Sequence, residues 1–194
     1  NRYLVWVQVG DIITGVSPGD RLGDSVSLSA DGTRVAIGSP KNGNAGSNAG
    51  LVRVYEYDSA SASWSSISGD IFGDAAGDHF GYSVAISRDG SRVVAGARLN
   101  DGAAVDAGRV KIYHDGYGSN WWQIGSNVDG QASNDQLGYS VAINKDGSSV
   151  VMGSPFADGT AGADSGITRV YSFIGQCAAN ERVQSNACVA CPAG

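Results

Sequence analysis

The chain has 194 residues, enough for a domain with a buried core, and carries a net charge of −6 with only 16% charged residues. That balance argues against a phosphate-binding surface, so no nucleic acid partner is expected, and no run reaches the roughly 18 apolar residues of a membrane span. Its 29 glycines follow no triplet, and 42% hydrophobic residues is too many for a disordered chain, which leaves a globular, turn-rich protein.

From the N-terminus onward the chain runs three times through one pattern. The first copy holds Trp6, Gly15, Asp20, Gly23, Ser25, Val26, Asp31, Gly32, Val35, Gly38, Gly50 and Tyr55. The second holds Trp64, Gly73, Asp78, Gly81, Ser83, Val84, Asp89, Gly90, Val93, Gly96, Gly108 and Tyr113. The third holds Trp121, Gly130, Asp135, Gly138, Ser140, Val141, Asp146, Gly147, Val150, Gly153, Gly166 and Tyr171. The step is 58 residues from first to second and 57 or 58 from second to third. A period of this size marks a repeat whose unit buries its apolar face only against its neighbours.

Within the second copy, Gly81–Ser87 alternates small or polar residues with Val84 and Ile86, the period of a strand. Asp89-Gly90 supplies a tight hairpin turn, and Arg92–Ala97 is the returning strand. A loop over Arg98–Ala107 precedes a third strand, Gly108–Tyr113, and a fourth begins at Trp121 with Ile124 and Val128 at +3 and +7. Glycine and serine interrupt every window in which a helix could form. Four short antiparallel strands per unit predict an all-β fold of β-propeller blades. The small residues of the first strand suit the crowded axis, and the Trp and Ile/Val of the fourth suit the wide outer edge. A β-solenoid would have shorter turns without hairpins, and a Greek-key sandwich seldom repeats itself internally.

The segment Gly77–Val84 (Gly-Asp-His-Phe-Gly-Tyr-Ser-Val), followed by Val94–Ala97 (Val-Ala-Gly-Ala), resembles the FG-GAP repeat of integrin α-type β-propellers. The third copy keeps Leu137–Val141 and Gly153–Pro155, and the first keeps Leu22-Gly23 and Gly38–Pro40, so the resemblance spans roughly residues 6–174. The Ser-x-Asp-Gly turns at 29–32 and 87–90 are also similar to TolB-type propeller repeats. The expected organisation is propeller blades over 1–174 (repeats about 6–63, 64–120 and 121–174), then the start of a cysteine-rich module over 175–194.

Propellers have about four to eight blades, and three copies do not close a ring. With blades beginning at the Gly-x-Ser-Val strand, the chain holds two complete blades and a third lacking its outer strand, while Val5–Ile13 is an orphan outer strand. The expectation is a portion of a larger propeller, or one whose open faces another chain covers. The start at Asn1 lacks a signal peptide's apolar stretch and reads as the interior, or processed start, of a longer precursor.

The resemblance raises calcium, because integrin-type blades carry an Asp-x-Asp-x-Asp-Gly loop between the first two strands. Here that position holds Ser29–Gly32, Ser87–Gly90 and Asn144–Gly147, each with a single carboxylate beside its glycine. One carboxylate per turn does not make a shell of six to eight oxygens, so these are read as hairpin turns and no metal site is carried over. Asp20, Asp78 and Asp135 recur in every copy and are read as acceptors for backbone N–H groups in a turn.

The long loops, Ser39–Ala49, Arg98–Ala107 and Ser154–Ser165, differ most between copies and hold Asn42, Asn44, Asn48, Asn100, Asp101, Asp106, Asp158 and Asp164. Loops on a rigid scaffold carry binding function, so these residues are the candidate ligand contacts, for calcium or for sugar hydroxyls. His79 and His114 belong to no catalytic constellation; His79 is expected at the surface and Trp122 in packing. Cys177, Cys188 and Cys191 resemble the start of an EGF-like or TNF-receptor-like repeat, which implies disulfides, one of them with a partner outside this cluster.

The resulting expectation is a non-enzymatic, secreted or cell-surface structural or adhesion protein. Its partners would be extracellular proteins, glycans or further copies of itself, with no membrane insertion. The first alternative is a calcium-dependent glycan- or protein-binding module using the long loops. The second is a propeller-based hydrolase, which needs a polar cluster in the channel, where the strands place mainly Ser and Ala.

Overall fold

The computed structural model describes residues 5–116 and 120–173, together with the strand course of 181–184 and 187–190. It is all-β, and its sheets are antiparallel blades. The first blade is β1 (Ser25–Leu28), β2 (Arg34–Ser39), β3 (Leu51–Asp58) and β4 (Ser63–Phe72) in that order. The second is β5 (Phe80–Ile86), β6 (Arg92–Ala97), β7 (Arg109–Asp115) and β8 (Trp121–Gln123), with β9 (Val128–Asp129) also pairing with β7. The third has three strands, β10 (Ser140–Ile143), β11 (Ser149–Ser154) and β12 (Ile167–Ser172). A hairpin of β13 (Glu181–Gln184) and β14 (Ala187–Ala190) lies in the C-terminal stretch.

The blade order agrees with the period-two reading, and the third blade shows three strands among the described residues. The Asp-Gly turns close the β1–β2 and β5–β6 hairpins, with Val26 opposite Ile37 and Val84 opposite Ala95. Val5–Ile13 forms no strand, so the expected outer strand is not seen there. Its Val9 carbonyl accepts from Trp64 Nε1 at 3.0 Å, and Asp11 accepts from the Trp64 N–H at 3.0 Å.

The innermost strands β1, β5 and β10 stand side by side, and two apolar seams lie between the blades. Ala36, Val52, Val54 and Ile71 of the first blade pack on Phe80, Val84, Ile86 and Val93 of the second. Ala85, Val94 and Val110 of the second pack on Leu137, Val150 and Met152 of the third. Phe80 and Leu137 occupy the same repeat position and are fully buried.

Backbone contacts stitch the same seams. The Phe80 N–H donates to Ala49 O and the Leu137 N–H to Ala107 O, both at 2.9 Å. Nearer the axis, Ala30 N–H donates to Arg88 O and Arg88 N–H to Lys145 O, both at 3.0 Å. Ser25 Oγ reaches Gly81 O at 2.8 Å, and Ser83 Oγ reaches Gly138 O at 2.7 Å. This approach requires glycine: a Cβ on Gly38 would strike the Gly81 carbonyl, and one on Gly96 the Gly138 carbonyl.

Because the obstacle at Gly96 is backbone, the neighbouring blade cannot yield by a rotamer change. Gly96→Val is expected to lower the unfolding free energy by at least the 1–3 kcal/mol typical of overpacking (about that order), read by urea denaturation.

Candidate functional site

Each blade enters its inner strand through a turn whose first residue is left-handed: Arg21, His79 and Gln136 have φ of 56°, 55° and 52°. Next-blade stitching holds two of them there, since the His79 N–H donates to Asn48 O and the Gln136 N–H to Asp106 O, both at 3.1 Å. The recurrent aspartates close the same turns. Asp78 accepts from the Ala75 N–H at 3.0 Å, and Asp135 from the N–H groups of Gln131 and Ala132 at 2.9 and 3.0 Å. Burial pushes the Asp78 carboxyl up, and its hydrogen bonds from Asn100 and Ala75 only partly oppose that.

Three residues beyond these positions stand Asp24, Tyr82 and Tyr139, at the mouth of the channel. Tyr82 and Tyr139 have ring centroids 5.1 Å apart, and Phe156 meets Tyr139 edge-on at 6.0 Å. The Arg98 guanidinium sits 4.4 Å from the Tyr82 centroid and 5.9 Å from that of Tyr139, and its Nη1 donates to Gln136 Oε1 at 2.8 Å. Its Nε is buried and has no partner among the described residues. A buried guanidinium N–H with no partner leaves a strong donor unmet.

His79 lies beside this cluster, half-buried rather than on the open surface that its turn position suggested. Burial pushes its imidazole below the ordinary value, and the positive charges of Arg98, Lys41 and Arg21 push in the same direction. The side chain is therefore neutral at pH 7 and able to accept a proton. Around the imidazole stand Arg98, Lys41 and Arg21, with Asp106 acting against them and Asp24 3.8 Å from Arg21.

At the opposite end, a 350 Å³ depression is lined by Leu28 and Ala30, Ile86 and Arg88, and Ile143, Asn144 and Lys145. Arg88 and Lys145 are exposed there, and it presents no unspent buried donor.

The long-loop candidates do not converge. Asn42 and Asn100 are closed to a ligand: both are buried, and their amides donate to Asp20 and Asp78 at 2.8 and 2.7 Å. Their carbonyl oxygens accept from the N–H groups of Asn44 and Gly102. Asp101 accepts from the Asp106 N–H at 2.8 Å, and Asp158 from the Asp164 N–H at 3.0 Å. Asn48, Asp106 and Asp164 are left-handed corners with φ of 54°, 52° and 52°. Among the described residues no group of three or more His, Cys, Asp or Glu side chains comes together.

One further expectation changes. Trp121 packs against the core, but Trp122 is 61% exposed, because β8 turns its face outward. Cys177 and Cys191 lie outside the described residues, and Cys188 lies on β14. No helix of the described residues is long and apolar enough to cross a membrane. Arg98, Tyr82 and Tyr139 were not singled out in the sequence, although it held a signal for them. Arg98 stands where the other copies have Pro40 and Pro155, and the tyrosines stand where the first copy has Asp24.

An FG-GAP repeat family model matches residues 72–113, the heart of the second blade. No curated protein matches the sequence. Among solved structures, the chain is similar to the periplasmic gluconolactonase of Pseudomonas aeruginosa, with 17% identity and a TM-score of 0.51 over 76% of this chain and 39% of that one. It is also similar to a candidate 6-phosphogluconolactonase of Bacteroides fragilis, with 15% identity and a TM-score of 0.50 over 82% of this chain and 44% of that one. The chain therefore spans about two fifths of the length of these propellers, and at such identities the similarity carries the fold.

The expectation of a non-enzymatic structural or adhesion protein is corrected at this point. It rested on the absence of a catalytic constellation in the sequence and on strands that place mainly Ser and Ala in the channel. Two propellers of similar fold carry the names gluconolactonase and 6-phosphogluconolactonase, and in this chain Arg98 meets Gln136 of the next blade at 2.8 Å.

The Asp31 carboxyl is held at about 2 by the Thr33 N–H, then by the hydroxyls of Ser29 and Thr33. A folded value below the unfolded 3.8 stabilises the protein above about pH 4, and that contribution is lost as pH falls toward 2. Asp31→Ala is expected to lower the Tm at pH 7 while leaving it unchanged near pH 2, read by calorimetry at both values.

Proposed function

We propose that the chain forms part of a propeller hydrolase that opens a lactone, a cyclic ester of the sugar-acid type, at the channel mouth. The observation that carries the reading is the unspent, buried Nε of Arg98 above the Tyr82–Tyr139 platform, next to a neutral His79. Support also comes from the fold shared with two propellers named as gluconolactonase and 6-phosphogluconolactonase.

The chemistry follows from the groups present. A sugar ring lies on an aromatic face through its C–H surface, which Tyr139 and Phe156 offer. Arg98 directs its N–H toward the ester carbonyl, where negative charge grows as water attacks. His79 takes the proton from that water. Collapse of the tetrahedral adduct breaks the ring C–O bond, and the proton passes to the departing alkoxide. One lactone and one water thus give one hydroxy acid. Arg21 and Lys41, whose charges are felt at His79, would attract the product carboxylate. A location outside the cytoplasm is supported by the periplasmic setting of one neighbour and by the clustered Cys177, Cys188 and Cys191.

The test is pH-stat titration of aldonolactones with the purified protein. Turnover above the spontaneous rate is expected, falling about 10²-fold or more in His79→Gln and in Arg98→Met. Hydrolysis no faster than in buffer overturns the reading. Because His79 must be neutral to act, kcat/KM is expected to fall on acidification with a midpoint below the ordinary 6.5, and His79→Gln is expected to abolish that limb.

A further inference from the structure

Arg98 stands at a repeat position where the other copies carry Pro40 and Pro155, which have no side-chain donor. The corner of the following blade that receives this position holds His79 at the first seam and Gln136 at the second. Pro40 therefore offers nothing to His79, whereas Arg98 Nη1 donates to Gln136 Oε1 at 2.8 Å. Among the described residues this arm and anchor occur once.

The anchor is held from several sides. The Gln136 N–H donates to Asp106 O at 3.1 Å, and the Gln136 carbonyl accepts from the Tyr139 N–H at 3.1 Å. Its chain neighbours Asp135 and Leu137 are buried, and the Leu137 N–H donates to Ala107 O at 2.9 Å. A Cβ on Gly108 would come within 2.8 Å of the Gln136 carbonyl carbon, so the second blade lies against this corner without slack. One turn thus places both the Tyr139 ring and the amide that receives Arg98.

The arm has more freedom to lose. An arginine side chain is rich in rotamers, and a planar guanidinium on a ring face can still slide and turn there. Here it lies 4.4 Å from the Tyr82 centroid and 5.9 Å from that of Tyr139, and the bond to Gln136 fixes its rotation over both rings. Joining the blades does not need that bond. The first seam lacks it and keeps the same links, with the Phe80 N–H on Ala49 O at 2.9 Å and Ser25 Oγ on Gly81 O at 2.8 Å.

From this geometry we propose that Gln136 is a positioning residue, which holds Arg98 over Tyr82 and Tyr139 from the next blade and so assembles the channel mouth from two blades. Its effect on turnover rests on the lactonase reading, and its effect on Arg98 does not. His79 reports on Arg98 directly. Burial is the largest cause that lowers its imidazole, Arg98 adds to it, then Lys41 and Arg21, and Asp106 acts against them. A guanidinium held in place keeps that contribution, and one released from its anchor gives part of it up.

Proton NMR titration of the two histidines, with His79 identified through His79→Gln, reads this without any substrate. Gln136→Met removes the acceptor and is expected to raise the His79 midpoint toward the ordinary 6.5, as is Arg98→Met. The double variant is expected to shift it no further than Arg98→Met alone, since the two residues act as one unit. In pH-stat assays Gln136→Met is expected to lower kcat about 10-fold or more with little change in Tm, and Gln136→Glu, which keeps an acceptor oxygen, to lose less. Should Gln136→Met fail to fold, Gln136→Asn suits the left-handed corner and withdraws the acceptor by one methylene, with the same readings expected. A His79 midpoint that ignores the loss of the acceptor, or shifts that add in the double variant, overturns the proposal and leaves the bond as a stitch between blades. Absence of turnover in the unaltered protein overturns the lactonase reading alone, and the titration still decides the positioning.

Discussion

Everything in this molecule depends on how closely the backbone of one blade approaches that of the next. Gly38 against Gly81, Gly96 against Gly138, and Gly50 and Gly108 against the carbonyls of Phe80 and Leu137 form one kind of contact, repeated. A Cβ at any of these glycines would collide with main-chain atoms, so the spacing between blades is set by the absence of side chains rather than by their fit. That spacing lets Ser25 and Ser83 reach across with single hydroxyls, and it brings the inner strands side by side around an axis.

The mouth of the channel follows from the same approach. His79 and Gln136 share with Arg21 a left-handed backbone that belongs to the turn, and their N–H groups meet the Asn48 and Asp106 carbonyls of the preceding loop. Pinning these corners presents Tyr82 and Tyr139 next to each other, and the end of β6 then delivers Arg98 onto them. The stability device and the candidate chemistry thus use neighbouring atoms. Asp78 and Asn100 hold the turn from beneath, while His79, one residue after Asp78, faces the cluster of cations. The long loops, rich in Asp and Asn, are spent on their own corners, and what varies usefully lies at their roots.

Ion pairs play a secondary part in this arrangement. Arg34 joins Glu56 of its own blade at 2.9 Å and Asp115 of the next at 2.7 Å, and the buried Lys111 finds Asp74 across the same seam. In these pairs long side chains bridge neighbouring blades, as the glycine contacts do by close backbone approach. Arg53 with Asp70 and Arg109 with Asp129 instead tie third to fourth strands within a blade. Partly buried pairs of this kind favour one register over its neighbours more than they add to stability.

The strands, the Asp-Gly hairpins and the count of blades were legible in the residues, because alternation and turn chemistry act over a few positions. Val84 and Ile86 declare a buried face, and Asp31 declares a turn, whatever lies elsewhere in the chain. His79 and Arg98 were not legible in this way. Whether His79 is exposed depends on Arg98, Lys41 and the neighbouring loop, and Arg98 gains its meaning from Gln136, 38 residues on. The amino-acid sequence by itself determined the blade, since that rests on local periodicity and on glycines repeated in step. Only the tertiary structure decided which polar groups remain unspent and where they gather, because hydrogen-bond partners from different blades are chosen by the packing that brings them together.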